Sequence, residues 1–232
     1  MKKALILICA KKSSSEIKNK NLIRYKGRTL VEHSVIQAQK LKKNFNVRVI
    51  CSTDSNKIAK IAKKAGAFIP FIRPKNLAKN NSPEWFVWKH AINFLRKTEN
   101  YNPEIFISLS PTAPLRRTKD ILKCVNTYLK KDKDIIVSVH KSKVNPYFNM
   151  IEKDSRGNFK LCKQKKNHIF NRQKSPQVFS MNTVAYVSSP NYIIKKKNMF
   201  EGDVGVCIIE NNQSLDLDTK FDFKILKFFE DK

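Results

Sequence analysis

Ala4-Leu5-Ile6-Leu7-Ile8-Cys9-Ala10-Lys11-Lys12-Ser13-Ser14-Ser15-Glu16 follows a Met-Lys-Lys start, and its reading decides the fold. A basic start ahead of an apolar run imitates a secretory leader, and Cys9 imitates a lipoprotein box. The run ends after seven residues at Lys11, short for a leader core, and the small residues of a lipobox are missing before Cys9. Residues 4–9 are therefore read as a buried first strand, followed by a loop of ammonium and hydroxyl groups. An unbroken apolar run suits a strand covered on both faces.

Working outward, residues 47–51, 105–109 and 135–139 repeat this short aliphatic pattern, and helical periodicities lie between them. Val31, Ser34, Val35, Ala38 and Leu41 share one face after a turn at Gly27. Ile58, Ile61, Ala62 and Ala65 form another, capped by Asp54 or Ser55 and ended by Gly66. Ser82-Pro83-Glu84 reads as a capped helix start whose buried stripe is Trp85, Trp88, Ile92 and Leu95. Thr118 reads as the cap of a fourth helix. Alternation of strand and helix predicts an α/β fold with a mostly parallel sheet and right-handed crossovers. The pattern breaks over 140–182, where a polar hairpin around Arg156-Gly157 reads as an excursion from the core. Strands at 184–187 and 204–209 and a helix from Thr219, with Phe221, Ile225, Phe228 and Phe229, close the chain. A length of 232 residues suits one domain, 1–232, with 140–182 embedded in it.

The charge is unusual: 47 Lys and Arg against 19 Asp and Glu give +28. Such a balance ordinarily suggests nucleic acid, an anionic membrane or an acidic substrate. Only nine of the cations are arginine, the residue whose fork reads phosphates and bases, and residues 201–232 carry eight acids against four lysines. The lysines are spread through apolar segments, so the reading is a solvated basic surface, with no specific nucleic acid and no membrane partner. No apolar stretch approaches the roughly 20 residues of a spanning helix. The five cysteines form no C-x-x-C pair, which fits a reducing cytoplasm and neither a disulfide framework nor a zinc site. His33, His90, His140 and His168 show no metal-ligand spacing.

In an open parallel sheet, ligands gather at the carboxyl ends of strands. Polar clusters fall there: residues 11–21, Ser52-Thr53-Asp54, and Ser110-Pro111-Thr112-Ala113-Pro114-Leu115-Arg116. The first could wrap a phosphate chain. Near the end, Ser214-Leu215-Asp216-Leu217-Asp218-Thr219, if extended, puts Asp216 and Asp218 on one face and both leucines inward. Two carboxylates on one face suit a shared Mg²⁺. The competing reading makes Asp218 the cap of the last helix and Asp216 a solvated side chain.

Read in order, these clusters resemble the CMP-sialic acid synthetases, or acylneuraminate cytidylyltransferases, over nearly the whole chain. The resemblance rests on Ile17-Lys18-Asn19-Lys20-Asn21, Ser52-Thr53-Asp54, Phe71-Ile72-Arg73-Pro74 with Leu77-Ala78, and Ser82-Pro83-Glu84-Trp85. It continues through Pro111 to Arg116, Asn145-Pro146-Tyr147-Phe148-Asn149-Met150, Arg172-Gln173, Met181-Asn182 and residues 214–218. It implies a Rossmann-like, nucleotidyltransferase-type domain with helices on both faces, and a homodimer in which the 140–182 arm reaches the partner's site. It implies CTP phosphates on Lys11, Ser14, Lys20 and Asn21, with Lys11, Lys20 and Asp218 the catalytic set. Arg73 falls at the cytosine, Arg172, Gln173 and Asn182 at the nonulosonic sugar acid, and Asp216 with Asp218 on Mg²⁺. The implied reaction is attack of an anomeric hydroxyl on the α-phosphorus of CTP, expelling pyrophosphate.

The first loop departs from the family pattern. Lys11 stands for an Arg, Ser15 for a Lys and Glu16 for a Gly; Ser110 and Asn80 stand for the usual Gln and Asp. Lys11 keeps the charge but not the fork. Lys12 and Lys18 are expected to compensate, with Glu16 turned away from the phosphates. A degenerate, non-catalytic binding or partner subunit and, further off, a polyanion-binding protein are the competing readings.

Overall fold

Continuous aliphatic strands at the centre of the chain build a six-stranded sheet in the computed structural model, which describes residues 1–13, 16–130, 132–164, 169 and 171–230. The sheet comprises β1 (Lys3–Cys9), β4 (Asn46–Ser52), β5 (Ile105–Leu109), β6 (Ile135–Lys141), β9 (Phe179–Ser188) and β10 (Val204–Ile208). Two ribbons stand apart from it, β2 (Arg24–Tyr25) with β3 (Arg28–Thr29) and β7 (Ile151–Lys153) with β8 (Phe159–Leu161). The order is β10-β6-β9-β5-β1-β4. Every pairing in it is parallel except those of β9, which runs antiparallel to both β5 and β6.

Alternation along β1 sends Ala4, Ile6 and Ile8 to one face and Leu5 and Leu7 to the other. The first face is covered by α1 (Leu30–Gln39), α2 (Asn56–Lys64) and α4 (Thr118–Lys130), the second by α3 (Glu84–Glu99) and α5 (Pro190–Lys195). Helices on both faces are thus observed. Trp85 and Trp88 are core residues of the second face, in contact with each other and not presented as a stacking platform.

Local chemistry explains most element ends. Lys26 and Gly27, at φ 45° and 77°, make the tight turn between β2 and β3 that only a left-handed-tolerant pair allows. Thr29 and Glu32 then form a reciprocal capping box on α1. Ser55, not Asp54, caps α2. Two predicted caps are corrected. Helix α3 starts after Pro83 with no side-chain cap, and Thr118 is already helical. Asp120, one turn on, accepts the N–H of Arg117 at 2.9 Å.

The last helix, α6 (Lys220–Glu230), also differs from expectation. Phe221 and Phe228 face solvent, and Leu226 supplies the buried contact, beside Tyr25, Leu30 and Leu217. The stripe is set by the small third core it meets, against which Phe223 also packs, partly buried. The chain leaves the sheet after Lys141 and rejoins it at Phe179; in between, Asn145–Asn149 forms a turn, with Asn145 O accepting from Phe148 and Asn149, and β7 starts at Ile151.

The antiparallel β9 matters for function. The excursion leaves from the carboxyl end of β6 and returns at the amino end of β9, and both lie at the edge where β1, β4 and β5 finish. The first residues of β9 are therefore delivered to the ligand edge.

Candidate active site

Segments from six points of the chain meet at that edge and enclose a cleft of about 410 Å³. Its lining includes Lys11, Lys20, Asn21, Arg73, Asp216 and Asp218, six of the residues singled out in the sequence. The Asn21 amide donates to Lys11 O at 2.8 Å, fixing the backbone that carries the first lysine. Lys11 Nζ donates to Asn80 Oδ1 at 3.0 Å, so two of the five departures from the family pattern meet each other. Lys20 Nζ is paired with Asp218 Oδ1 at 2.8 Å.

Arg73 is buried and donates through Nε to Ser52 Oγ at 3.0 Å and through a terminal nitrogen to Ser52 O at 2.5 Å. This gives Ser52-Thr53-Asp54 its role: Ser52 orients the guanidinium, Thr53 O accepts the Arg73 N–H, and Asp54 accepts the Lys12 N–H at 2.7 Å. Arg116 is different in kind. Completely enclosed, it donates to the carbonyls of Ser110 and Val184 and to Ser34 and Gln37, and burial pushes its pKa down to about 10. It braces the loop after β5.

Thr219 and Asp222 cap α6 reciprocally, the Thr219 N–H meeting Asp222 Oδ2 at 2.7 Å and the Asp222 N–H meeting Thr219 Oγ1 at 3.2 Å. That leaves the Asp218 carboxylate to Lys20, against its reading as the helix cap. The Leu217 N–H donates to Thr112 O at 2.9 Å, which ties the 214–218 segment to the loop after β5 with Leu217 inward. Asp216 is half-buried, and its Oδ1 is enclosed with no hydrogen-bond partner. Burial raises its pKa, hydrogen bonding from Thr112 and Thr183 opposes the rise, and neighbouring Asp218 adds to it.

Asp216 also lines a second cleft, of about 520 Å³, with His140, Ser142, Lys143, Ser180 and Asn182. Asn182 is buried; its Oδ1 accepts the Val184 N–H at 3.2 Å, while Nδ2 has no partner. Arg172 reaches the rim, donating to Ser142 O at 3.2 Å. Gln173 is exposed in the short Arg172–Lys174 turn and lines neither cleft. Ser14, Ser15 and His168 lie outside the described residues. Lys12, Glu16 and Lys18 are exposed and are not among the residues that line the first cleft.

A family model described as cytidylyltransferase matches residues 5–224. The chain belongs to the cytidylyltransferase family. It is 32% identical over 230 residues to the post-translational flagellin modification protein B of Campylobacter coli, covering 98% of this chain and 95% of that one. It is 31% identical, at the same coverage, to a CMP-N,N'-diacetyllegionaminic acid synthase of Campylobacter jejuni. Among solved structures, CMP:2-keto-3-deoxy-manno-octonic acid synthetase complexed with CTP matches with a TM-score of 0.67 over 98% of each chain; at 15% identity the likeness is one of fold.

Sequence reasoning missed several groups in this cytidylyltransferase cleft. Thr183 flanks Asp216 together with Thr112 of the quoted proline motif, and Lys79 and Glu84 line the first cleft. Glu84 Oε1 accepts from Trp88 Nε1 at 2.8 Å and Ser108 Oγ at 3.1 Å. In the sequence it had marked a helix start and a motif of the resemblance, with no role of its own. Cys9 faces the cleft too, and burial followed by the Glu84 carboxylate pushes its pKa well up, so it stays a thiol. Among the described residues no helix is long and apolar enough to cross a membrane.

Proposed function

We propose that this cytidylyltransferase moves CMP from CTP to the anomeric hydroxyl of a sialic-acid-like nonulosonic acid, with Mg²⁺, releasing pyrophosphate. The observation that carries this reading is Asp216: it stands in the wall common to two clefts and keeps one enclosed oxygen without a protein partner. A nucleotide in the first cleft and a sugar acid in the second would meet there. The sugar class is supported by the Campylobacter relative named as a CMP-legionaminic acid synthase.

The first cleft holds the nucleotide. Lys11 and Lys20 neutralise phosphate oxygens, Asn21 fixes the loop, and Arg73 presents its guanidinium to the base. Asp216 and Asp218 fit a hard divalent cation, because one oxygen is already desolvated and unpaired and the other carboxylate is exchangeable with Lys20. Among the described residues no third acidic, His or Cys side chain joins them, so further ligands would have to come from phosphate or water. Mg²⁺ bound there would offset charge on the triphosphate. Lys20, turned from Asp218 to the phosphates, would leave the Asp218 carboxylate free to help hold such a cation. Asn182 and Arg172 serve the sugar acid, with Gln173 following from the arm of a second copy. Attack forms the bond from anomeric oxygen to the α-phosphorus as the bond to pyrophosphate breaks. The protein contributes position and charge neutralisation more than covalent chemistry.

The enzyme acts, in this reading, as a cytoplasmic homodimer of one domain. The arm supports this, because Met150, Ile151 and Phe159 expose apolar surface on its hairpin. Pyrophosphate release from CTP and Mg²⁺ with a panel of nonulosonic acids is the test. Release dependent on one class of sugar is expected; no release with any, from protein that binds CTP, would favour the non-catalytic reading.

A further inference from the structure

We infer that His140 is a specificity residue of the second cleft, which pairs with Asn182 to read an acylamino substituent on the sugar. The inference rests on the reading that this cleft takes the sugar acid, and adds a residue and a chemical group to it.

His140 is near the end of β6, opposite Ser180 of β9 in the sheet register. The register shifts between Val137 and Val139, where Ser138 turns its hydroxyl to Asn182 O at 3.0 Å and receives the Ala185 N–H at 3.1 Å. That irregularity locks the strand pair just before it opens into the cleft. Two enclosed polar atoms then remain without partners on neighbouring strands: His140 Nδ1 and Asn182 Nδ2. Enclosed groups of this kind are costly unless a ligand or water completes them. Asn182 has no freedom to turn round, since its Oδ1 is held by the Val184 N–H. It presents a donor. Burial, followed by nearby Lys143, favours the neutral imidazole at His140, whose Nδ1 can then accept.

One donor from β9 and one acceptor from β6, both in the lining of the same cleft, match the carbonyl oxygen and N–H of an amide. A carboxylate would satisfy only Asn182 and is better placed toward Lys143 and Arg172, the cations of the same cleft and its rim. A hydroxyl could satisfy one orphan at a time. Sites built to hydrogen-bond a group discriminate strongly against analogues that lack it, because enclosed polar atoms are left bare.

The test compares two nine-carbon keto sugar acids that differ only in carrying an acylamino group or a hydroxyl at one carbon. Pyrophosphate release is measured for wild type, His140→Ala and His140→Gln, and CTP binding is followed by calorimetry on each folded variant. His140→Ala should raise KM for the acylamino sugar about tenfold, the effect of one enclosed hydrogen bond. KM for the hydroxyl analogue and the CTP affinity should stay within about twofold. His140→Gln, which restores an amide partner, should recover much of the loss. Equal changes for both sugars, or none for either, would overturn the assignment. Wild-type protein that turns over neither sugar would defeat the parent reading and this one with it; turnover of both with no shift at His140→Ala defeats this one alone.

Discussion

The two clefts on either side of Asp216 are prepared for ligands in opposite ways. In the first, three cations already have protein partners: Lys20 has Asp218, Lys11 has Asn80 and Arg73 has Ser52. In the second, Asn182 Nδ2 and His140 Nδ1 are enclosed and unmatched. A ligand of the first cleft therefore exchanges partners, which conserves hydrogen bonds and depends on charge and salt. A ligand of the second completes orphan groups, where missing one is expensive. Affinity for the nucleotide and selectivity for the sugar are thus separate properties of one site.

The largest expected effect lies where the clefts meet. Asp216→Asn and Asp218→Asn should each reduce Mg²⁺-dependent pyrophosphate release by about 100- to 1,000-fold, as for loss of one charge-stabilising group. Their stabilities should differ from that pattern. Burial holds the Asp216 pKa above its ordinary value, so its contribution to stability falls as pH rises from the usual carboxylate range through that higher value. At neutral pH the charge costs stability, and Asp216→Asn should melt no lower than wild type. A large drop in Tm there would show that Asp216 is a structural group.

Next comes the exchange in the first cleft. Lys20→Ala should weaken CTP binding in the presence of Mg²⁺ by roughly 10- to 100-fold, the range of a hydrogen bond to a charged group. Titration calorimetry reads it, and an unchanged affinity would move the phosphates elsewhere.

A smaller effect tests what frees Asp218. Burial alone would raise the Asp222 pKa, but the Thr219 N–H and hydroxyl and the Asp218 N–H together hold it below its usual value. Its contribution is therefore present above the ordinary carboxylate range and lost as pH falls through the lower folded value. Asp222→Asn should cost about 1 kcal/mol at pH 7, the usual worth of a cap, and lose less than that near pH 3. Melting curves at the two pH values check this, and an equal cost at both would contradict it.

The smallest effect belongs to the departure that looked most damaging. Glu16 is exposed and is not among the residues that line the cleft, so Glu16→Gly should leave CTP affinity within about twofold or improve it slightly. A marked loss would mean that Glu16 holds the loop in place.

Strands and helices were legible because burial on two faces writes continuous aliphatic runs, and burial on one face writes a helical stripe. The contacts of the clefts were legible only where a motif put a charged residue at a strand end, as with Lys20, Arg73 and Asp218. Thr183, Glu84 and His140 were not, since each takes its role from a neighbour far away in the chain. Thr183 serves Asp216 only because β9 runs antiparallel, and no local pattern in residues 179–188 states the direction of a strand. The stripe of α6 failed for a similar reason: which of its Phe and Leu faces inward depends on Tyr25 and Leu30, some 200 residues earlier.

CTP titrated into the folded wild-type protein, with and without Mg²⁺ and at two salt concentrations, is the most direct test of the exchange of partners in the first cleft. The account predicts binding that needs Mg²⁺ for full strength and weakens with salt, as Lys20 leaves Asp218 for the phosphates. Binding of equal strength without Mg²⁺, or no binding at all, would contradict it.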